Sequence, residues 1–458
     1  MSEFKTVNPA TGETLKSFSH LAKADVDKAL KKAREAYLSA KTKSVADRSS
    51  DLKAIAKGLR ARKSDLARIM TLEMGKPLKD SLAEVEKSAG TFEFFGEALP
   101  EMLKREEVKT TYVRSSIVKD SIGPILAVMP WNFPLWQVTR FAAPAVGIGN
   151  PILLKHSDLT AGTAALIGEI FDEVRDGLLF NLRIDHDQAA EAIGDRRCAA
   201  VTLTGSAKAG REIAQTAGHH LKKTVLELGG SDAYVVLKDA DVEKAAQICA
   251  DGRMVNNGQS CVAAKRFIVH DSVVETFTKL FEARVRELKM GDPLNEKTSV
   301  GSLASKKFQE GLLKQCADIE KAGAKKVFDV DEKFDFKAAG AFFPARGYRV
   351  TGAIESAFTE EFFGPVALIF AFETEDEALE LANRSIYGLG GAVFSKDVPR
   401  AEAFARQMEA GFIAINDQVK SDAHLPFGGV KDSGYGRELS HFGFNEFVNV
   451  KTLGFGAV

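Results

Sequence analysis

Cysteine is scarce in this chain: Cys198, Cys249, Cys261 and Cys316 are the only four in 458 residues. Their scatter matches no metal-ligand spacing and is far too thin for a disulfide framework, which excludes a zinc-ribbon-like centre and a stapled secreted domain. No metal is expected, and a reducing cytoplasm is the expected compartment. Long apolar runs are missing as well: nothing reaches the roughly eighteen residues of a membrane span, and the opening "MSEFKTVNPATGETLKSF" has no apolar leader core. A soluble, unexported chain without a membrane partner is the expectation. Neither sign of charge is in excess, since 62 basic side chains stand against 63 acidic ones. That balance gives no footprint for nucleic acid or an anionic surface, so the expected ligands are small molecules. Repeats and low-complexity linkers are lacking too, which leaves domain boundaries soft.

What is present begins with length and apolar content. The chain exceeds what one hydrophobic core usually supports, so two or three domains are expected, and an apolar share of 45% can fill their cores. The first hundred residues are mostly helical in pattern. Val26, Ala29, Leu30, Ala33 and Tyr37 recur at helical spacing, with Asp25 as the expected N-cap. The stretch "KREEVKTTYVRSSIVKDS" then alternates apolar and polar residues as an antiparallel excursion does. Beyond it, short buried-type strands alternate with helices: "PILAVMP", "PILLKHS", "AAVTLTGS" and "AYVVL", followed by "KRFIVH", "GGAVFS" and "GFIAIN". This is βαβ organisation around parallel sheets, an α/β fold class.

Cys261, in "NNGQSC", poses the functional question, because a lone cysteine is more often a small core hydrophobe than a nucleophile. Glu227, in "VLELGGSDAYVVL", sits among apolar residues before a Gly229-Gly230 turn, where a carboxylate serves either catalysis or structure. Asn132, in "MPWNFPLWQVTR", either holds a turn or donates its amide to a developing oxyanion. Gly205 and Gly210, in "TLTGSAKAG", follow a strand and open a helix as a phosphate-approaching turn does, a weak signal alone.

Together, "PWNFP", "LLKHSD", "TGSAKAG", "LELGGSD", "NNGQSC", "EEFFGPV" and "PFGGVKDSGYGRE", in this order over nearly the whole chain, resemble the NAD(P)-dependent aldehyde dehydrogenase superfamily. The resemblance implies a Rossmann-like cofactor domain (1–102 and 122–233), an α/β catalytic domain (234–425), and a small β oligomerisation arm (103–121 and 446–458). A homodimer or homotetramer follows from it. It also implies Cys261 as nucleophile, Glu227 as general base and Asn132 as oxyanion donor. On the cofactor side it implies Trp131, Lys155, Ser157, Asp158, Gly205, Ser206, Glu361 and Phe363. In the implied chemistry a Cys261 thiohemiacetal gives up hydride, and water activated by Glu227 hydrolyses the resulting thioester to a free acid. Retention of Glu227 argues against acyl transfer to coenzyme A. Retention of all three groups argues against a structural protein that merely shares the fold.

Within that superfamily, "PWNFPLWQVTRFAAP" and "NNGQSCVAAKRF" most resemble the short bacterial succinate-semialdehyde dehydrogenases, with broad specificity for other small aldehydes as the alternative. The resemblance implies Arg140, Trp136 and Ser421 around the substrate, with Arg140 either on the substrate's distal carboxylate or in an intramolecular salt bridge. Longer members carry an arginine six residues before the cysteine, where this chain has Val255. Arg253 is expected to point elsewhere, and Lys420 is a possible compensating charge. Asp158 either reads the ribose 2′-OH, which favours NAD over NADP, or caps the next helix. NAD is the expected preference. No thiol flanks Cys261, so peroxide is expected to oxidise it without a local resolving disulfide.

Overall fold

The computed structural model describes residues 2–336 and 340–457. Three of the apolar runs and two further strands assemble a sheet in the order Lys223–Glu227, Ala200–Thr204, Ile125–Met129, Ile152–His156 and Leu179–Asn181, all parallel. Their near-continuous burial follows from helices packed on the sheet, so both faces need apolar side chains. The chain runs outward from Ile125–Met129 through the strands on one side and then returns to Ala200–Thr204 on the other. The order therefore reverses between those two strands, which is where a doubly wound sheet opens a ligand crevice at its carboxyl ends. Asn132, Ser157, Gly205 and Glu227 all lie at or just beyond carboxyl ends of this sheet.

A sixth strand, Gly434–Tyr435, pairs antiparallel with Leu226 and Glu227 and ties the C-terminal part of the chain to this sheet. The second sheet has seven strands, ordered Lys325–Asp329, Arg346–Arg349, Val366–Phe372, Arg266–His270, Ala233–Val236, Gly390–Phe394 and Phe412–Ile415. Only the Lys325–Asp329 edge is antiparallel. A third sheet pairs Val448–Phe455 with Arg114–Ser121 and then Glu106–Glu107, joining the alternating stretch near residue 110 to the C-terminus.

The helical expectation for the first hundred residues is met by Lys23–Ala40, Val45–Ala61, Lys63–Met74 and Leu78–Met102, preceded by a hairpin of Glu3–Val7 and Thr14–Ser19. Val26, Leu30, Ala33 and Tyr37 are buried as their spacing predicts. Asp25 is not the cap. The helix starts earlier with Ala22 at its N-cap, and Asp25 lies in the first turn, where its charge favours the positive end of the helix. Among the described residues no helix is long and apolar enough to cross a membrane.

Candidate active site

The segment before Cys261 is shaped by three consecutive left-handed residues, Asn256 (φ 54°), Asn257 (φ 58°) and Gly258 (φ 76°). Asparagine tolerates that region, whereas the third position must be glycine: a Cβ there would lie 2.3 Å from the Gly364 carbonyl carbon. The "NNGQSC" and "EFFGP" segments thus touch backbone to backbone. Gly230 is similarly constrained, because its Cβ would sit 2.5 Å from the Cys261 carbonyl oxygen. Asn256 Nδ2 donates to Asn132 O at 2.7 Å and to Gln259 O at 3.1 Å. These contacts bring the asparagine loop and the cysteine loop together.

Cys261 is half-buried and lines a cavity of about 630 Å³ that also includes Trp136, Arg140 and Ser421. Burial pushes its thiol up to about 12, while Arg140 and Lys265 draw it back down. Asn132 Nδ2 donates to Gln259 O at 3.1 Å, and its Oδ1 accepts from Gln137 Nε2 at 3.5 Å. Its amide is therefore oriented by the loop that carries the cysteine, with one N–H uncommitted.

Glu227 ends its strand fully enclosed, with neither carboxylate oxygen hydrogen-bonded among the described residues. Burial raises its pKa well above the ordinary carboxylate value, Glu438 adds to the rise, and Arg140 and Arg437 oppose it. Glu438 is also raised by burial, against the pull of Arg140. Arg140 Nε pairs with Glu438 at 2.7 Å, both side chains only 2% exposed, and its guanidinium lies 4.5 Å from the Phe427 ring centroid. The intramolecular salt bridge, one of two alternatives open at Arg140, is present. Arg140 also lines the cavity, and its Nη2 donates to Thr204 Oγ1 at 3.4 Å.

A second cluster lies across the cysteine loop. The fully buried Lys265 ammonium donates to Ser260 O at 2.8 Å and Cys261 O at 2.6 Å, and pairs with Glu361 Oε1 at 3.2 Å. Glu361 also accepts from Gly230 N at 3.1 Å. Phe363 meets Trp131 edge to face at 5.7 Å, and Trp131 stacks on Phe308 at 4.7 Å. Further along the sheet edge, Ser206 caps the helix Ala207–His219 through Ala209 N, and Gly205 N donates to Glu227 O. The N–H groups ahead of Ala209 have no acceptor within the helix, the arrangement that receives a phosphate. Lys155 is the penultimate residue of the strand Ile152–His156, and burial lowers its pKa against the pull of Asp158 and Asp185. Glycine, free helix N–H groups, a lysine and aromatic walls along one edge fit a dinucleotide.

Asp158 does not cap the next helix. Ser157 caps the short turn Asp158–Thr160, and the next helix, Ala161–Val174, receives the Glu73 carboxylate on Gly162 N and Thr163 N. Asp158 instead pairs with His20 Nε2 at 3.4 Å. Arg253 lies outside the cavity, with Nη2 donating to Gly258 O at 2.5 Å, and Lys420 lines it but pairs with Asp417 at 2.9 Å. Sequence reasoning missed Lys265, Glu438, His20 and Lys87. Lys265 and Glu438 do lie inside quoted segments, "NNGQSCVAAKRF" and "PFGGVKDSGYGRE", and a charge among apolar neighbours is the signal that could have found Lys265.

A thiol, an oriented amide, a buried carboxyl and a dinucleotide-shaped edge define a cysteine-bearing oxidoreductase architecture. Residues 1–453 match the aldehyde dehydrogenase family, and the chain belongs to it. It is an NAD(P)-dependent aldehyde-oxidising enzyme. It is 41% identical over 450 residues to the succinate semialdehyde dehydrogenase [NAD(P)+] of Escherichia coli K12, covering 98% of this chain and 97% of that one. It is 38% identical to the succinate-semialdehyde dehydrogenase [NADP(+)] of Deinococcus radiodurans, over 98% and 94% of the two chains. The crystal structure of succinic semialdehyde dehydrogenase from Streptococcus pyogenes, in complex with NADP+ as the cofactor, superposes with a TM-score of 0.96 at 36% identity, over 99% of this chain and 100% of that one.

These relatives overturn the expected preference for NAD over NADP, since they are named for NADP+ or for both cofactors and one binds NADP+. The physical reason lies in the cations around Asp158. Lys155 interacts with it electrostatically and offers positive charge to a 2′-phosphate, and His20 Nε2, 3.4 Å away, offsets the carboxylate when the imidazole is protonated.

Proposed function

We propose that the preferred substrate is a short aldehyde with a distal carboxylate, succinate semialdehyde foremost, and that either nicotinamide cofactor is accepted. One observation carries this reading: Cys261 shares its cavity with basic and hydroxyl side chains, Arg140, Lys87 and Ser421. The names of the relatives support the same substrate.

In the proposed cycle the Cys261 thiol loses its proton to solvent, the thiolate attacks the aldehyde carbon, and the new oxyanion accepts hydrogen bonds from the free N–H of Asn132 and the Cys261 backbone N–H. A bound nicotinamide supplies the hydride acceptor. Collapse of the oxyanion releases hydride and leaves a thioester on Cys261. Glu227, once ionised, takes a proton from water, which attacks the thioester carbon, expels the Cys261 thiolate and frees the acid. On the cofactor side, Gly205 and Ser206 would hold the pyrophosphate, Lys155 and Ser157 the adenosine ribose, Glu361 the nicotinamide ribose, and Trp131 and Phe363 the ring.

We assign the cofactor to segments 1–102 and 122–233 and the nucleophile to 234–425. Segments 103–121 and 446–458 form an arm that pairs copies into a dimer or tetramer. The open, exposed edge of Val448–Phe455 supports this, because an eight-residue edge strand is normally covered. Four unpaired thiols support work in a reducing compartment such as the cytoplasm.

The test compares kcat/KM for succinate semialdehyde and butanal with each cofactor. A preference of about tenfold or more for the semialdehyde is expected from one charge-assisted anchor. The Arg140–Glu438 pair favours a second reading, broad specificity for small aldehydes, and equal values for the two substrates would establish it.

A further inference from the structure

We propose that Lys87, with Ser421 beside it, is the principal anchor for the substrate's distal carboxylate and so a specificity-determining residue. This rests on the substrate reading above. Lys87 projects from the helix Leu78–Met102 and lines the same cavity as Cys261, Trp136, Arg140 and Ser421. Most other cations lining that cavity are already paired. Arg140 meets Glu438 at 2.7 Å, Lys420 meets Asp417 at 2.9 Å, and Arg284 meets Asp251 at 2.9 Å and Glu287 at 2.7 Å. Lys79 and Lys87 are both exposed and without an ion pair among the described residues, but the Lys87 ammonium is the one held in the cavity, by Ser421 and Trp136.

Lys87 has no carboxylate partner among the described residues. Its ammonium donates to Ser421 Oγ at 2.9 Å and lies 4.1 Å from the Trp136 ring centroid. An ammonium has three donors, and the hydroxyl takes one. The aromatic face holds the charge without neutralising it. A carboxylate entering beside Ser421 completes this set with charge-assisted bonds, from a different structural element than Val255, which offers no charge. Although the side chain is exposed overall, enclosure of its ammonium by the cavity wall, aided by Arg140 from the neighbouring helix, lowers Lys87 to about 8. Glu84 on its own helix and Asp422 beyond Ser421 pull the other way. Lys420, on that same loop, is neutralised by Asp417. An arriving carboxylate raises Lys87 again, so the anchor is charged when the anion binds and weakens as pH rises past about 8.

The experiment measures kcat/KM for succinate semialdehyde and butanal in wild type, Lys87→Met and Lys87→Arg. Lys87→Met should lower the semialdehyde-to-butanal ratio about tenfold to a hundredfold, mainly through the semialdehyde KM, and Lys87→Arg should retain most of it. Wild type should show the semialdehyde KM rising above about pH 8, a rise absent from Lys87→Met. An unchanged ratio in Lys87→Met, or equal losses on both substrates, would overturn the anchor while leaving the substrate reading intact. A wild type with no preference for the semialdehyde would overturn both.

Discussion

Replacing Lys265 with methionine should disarm the nucleophile without touching it. The Lys265 ammonium spends its three donors on Ser260 O, Cys261 O and Glu361 Oε1, and it has no exposed surface. It is 2.6 Å from the Cys261 carbonyl oxygen, which puts the sulfur of the same residue a few ångström further away. At an effective dielectric of about 20, unit charges about 6 Å apart interact by about 3 kcal/mol, or about two pK units. Cys261 is half-buried, so solvent screening trims this toward about one unit. The substitution also leaves Glu361 unopposed, and that carboxylate already pushes the thiol upward. Both effects share a sign. Because the thiol is pushed up to about 12, the reactive thiolate fraction near neutrality is proportional to its acid constant, so each added pK unit removes about nine-tenths of it.

The assay is the second-order rate of Cys261 alkylation by iodoacetamide from about pH 6 to about pH 10, without cofactor. Lys265→Met should react about tenfold more slowly at every pH below the thiol's own pKa. Glu361→Gln gives a control of opposite sign, since removing its negative charge should speed alkylation. Circular dichroism of both variants separates a charge effect from a collapsed loop. A Lys265→Met profile that superimposes on wild type, in a protein of native spectrum, would refute the electrostatic role.

Glu227→Gln should retain a burst of reduced cofactor and lose steady turnover, and equal loss of both would remove the general-base assignment. In wild type, a deacylation limited by this buried carboxyl should climb with pH through a midpoint well above 4.5, because burial and Glu438 favour its protonated, inactive form; stopped-flow pH profiles read that limb. His20→Ala should free Asp158 and weaken NADP binding relative to NAD about two- to fivefold, read by cofactor titration of protein fluorescence. Peroxide should oxidise Cys261 to sulfenic and higher acids without a disulfide, because Cys198, Cys249 and Cys316 are buried in separate core clusters; mass spectrometry finding a Cys261 bridge in most molecules would contradict this.

The strands were legible because burial on both faces writes itself as an unbroken apolar run. Ile125–Met129, Ile152–His156 and Ala233–Val236 fall inside the runs that announced them. The strand Gly434–Tyr435 was not, for two residues carry no period, and its pairing with Leu226 and Glu227 comes from the tertiary path of the chain. Asp25 misled in a related way: several positions in a first helical turn suit an aspartate, and only the backbone decides which one is the cap.

The site divides along the same line. Motifs announce residue types at fixed spacing, and so Cys261, Asn132 and Glu227 could be singled out with no structure. Their partners come from elsewhere in the chain, where local patterning has nothing to report. Arg140 was open between a substrate and a salt bridge because Glu438, its buried partner, lies in the C-terminal segment. Asp158 shows the consequence most sharply. A carboxylate discriminates against a phosphate only through charge left uncompensated at the point of contact, and His20, from a loop beside the N-terminal hairpin, offsets that charge when its imidazole is protonated. On this reading, substituting His20 and substituting Asp158 should move the NADP-to-NAD ratio in opposite directions, and a shift in the same direction for both would refute it.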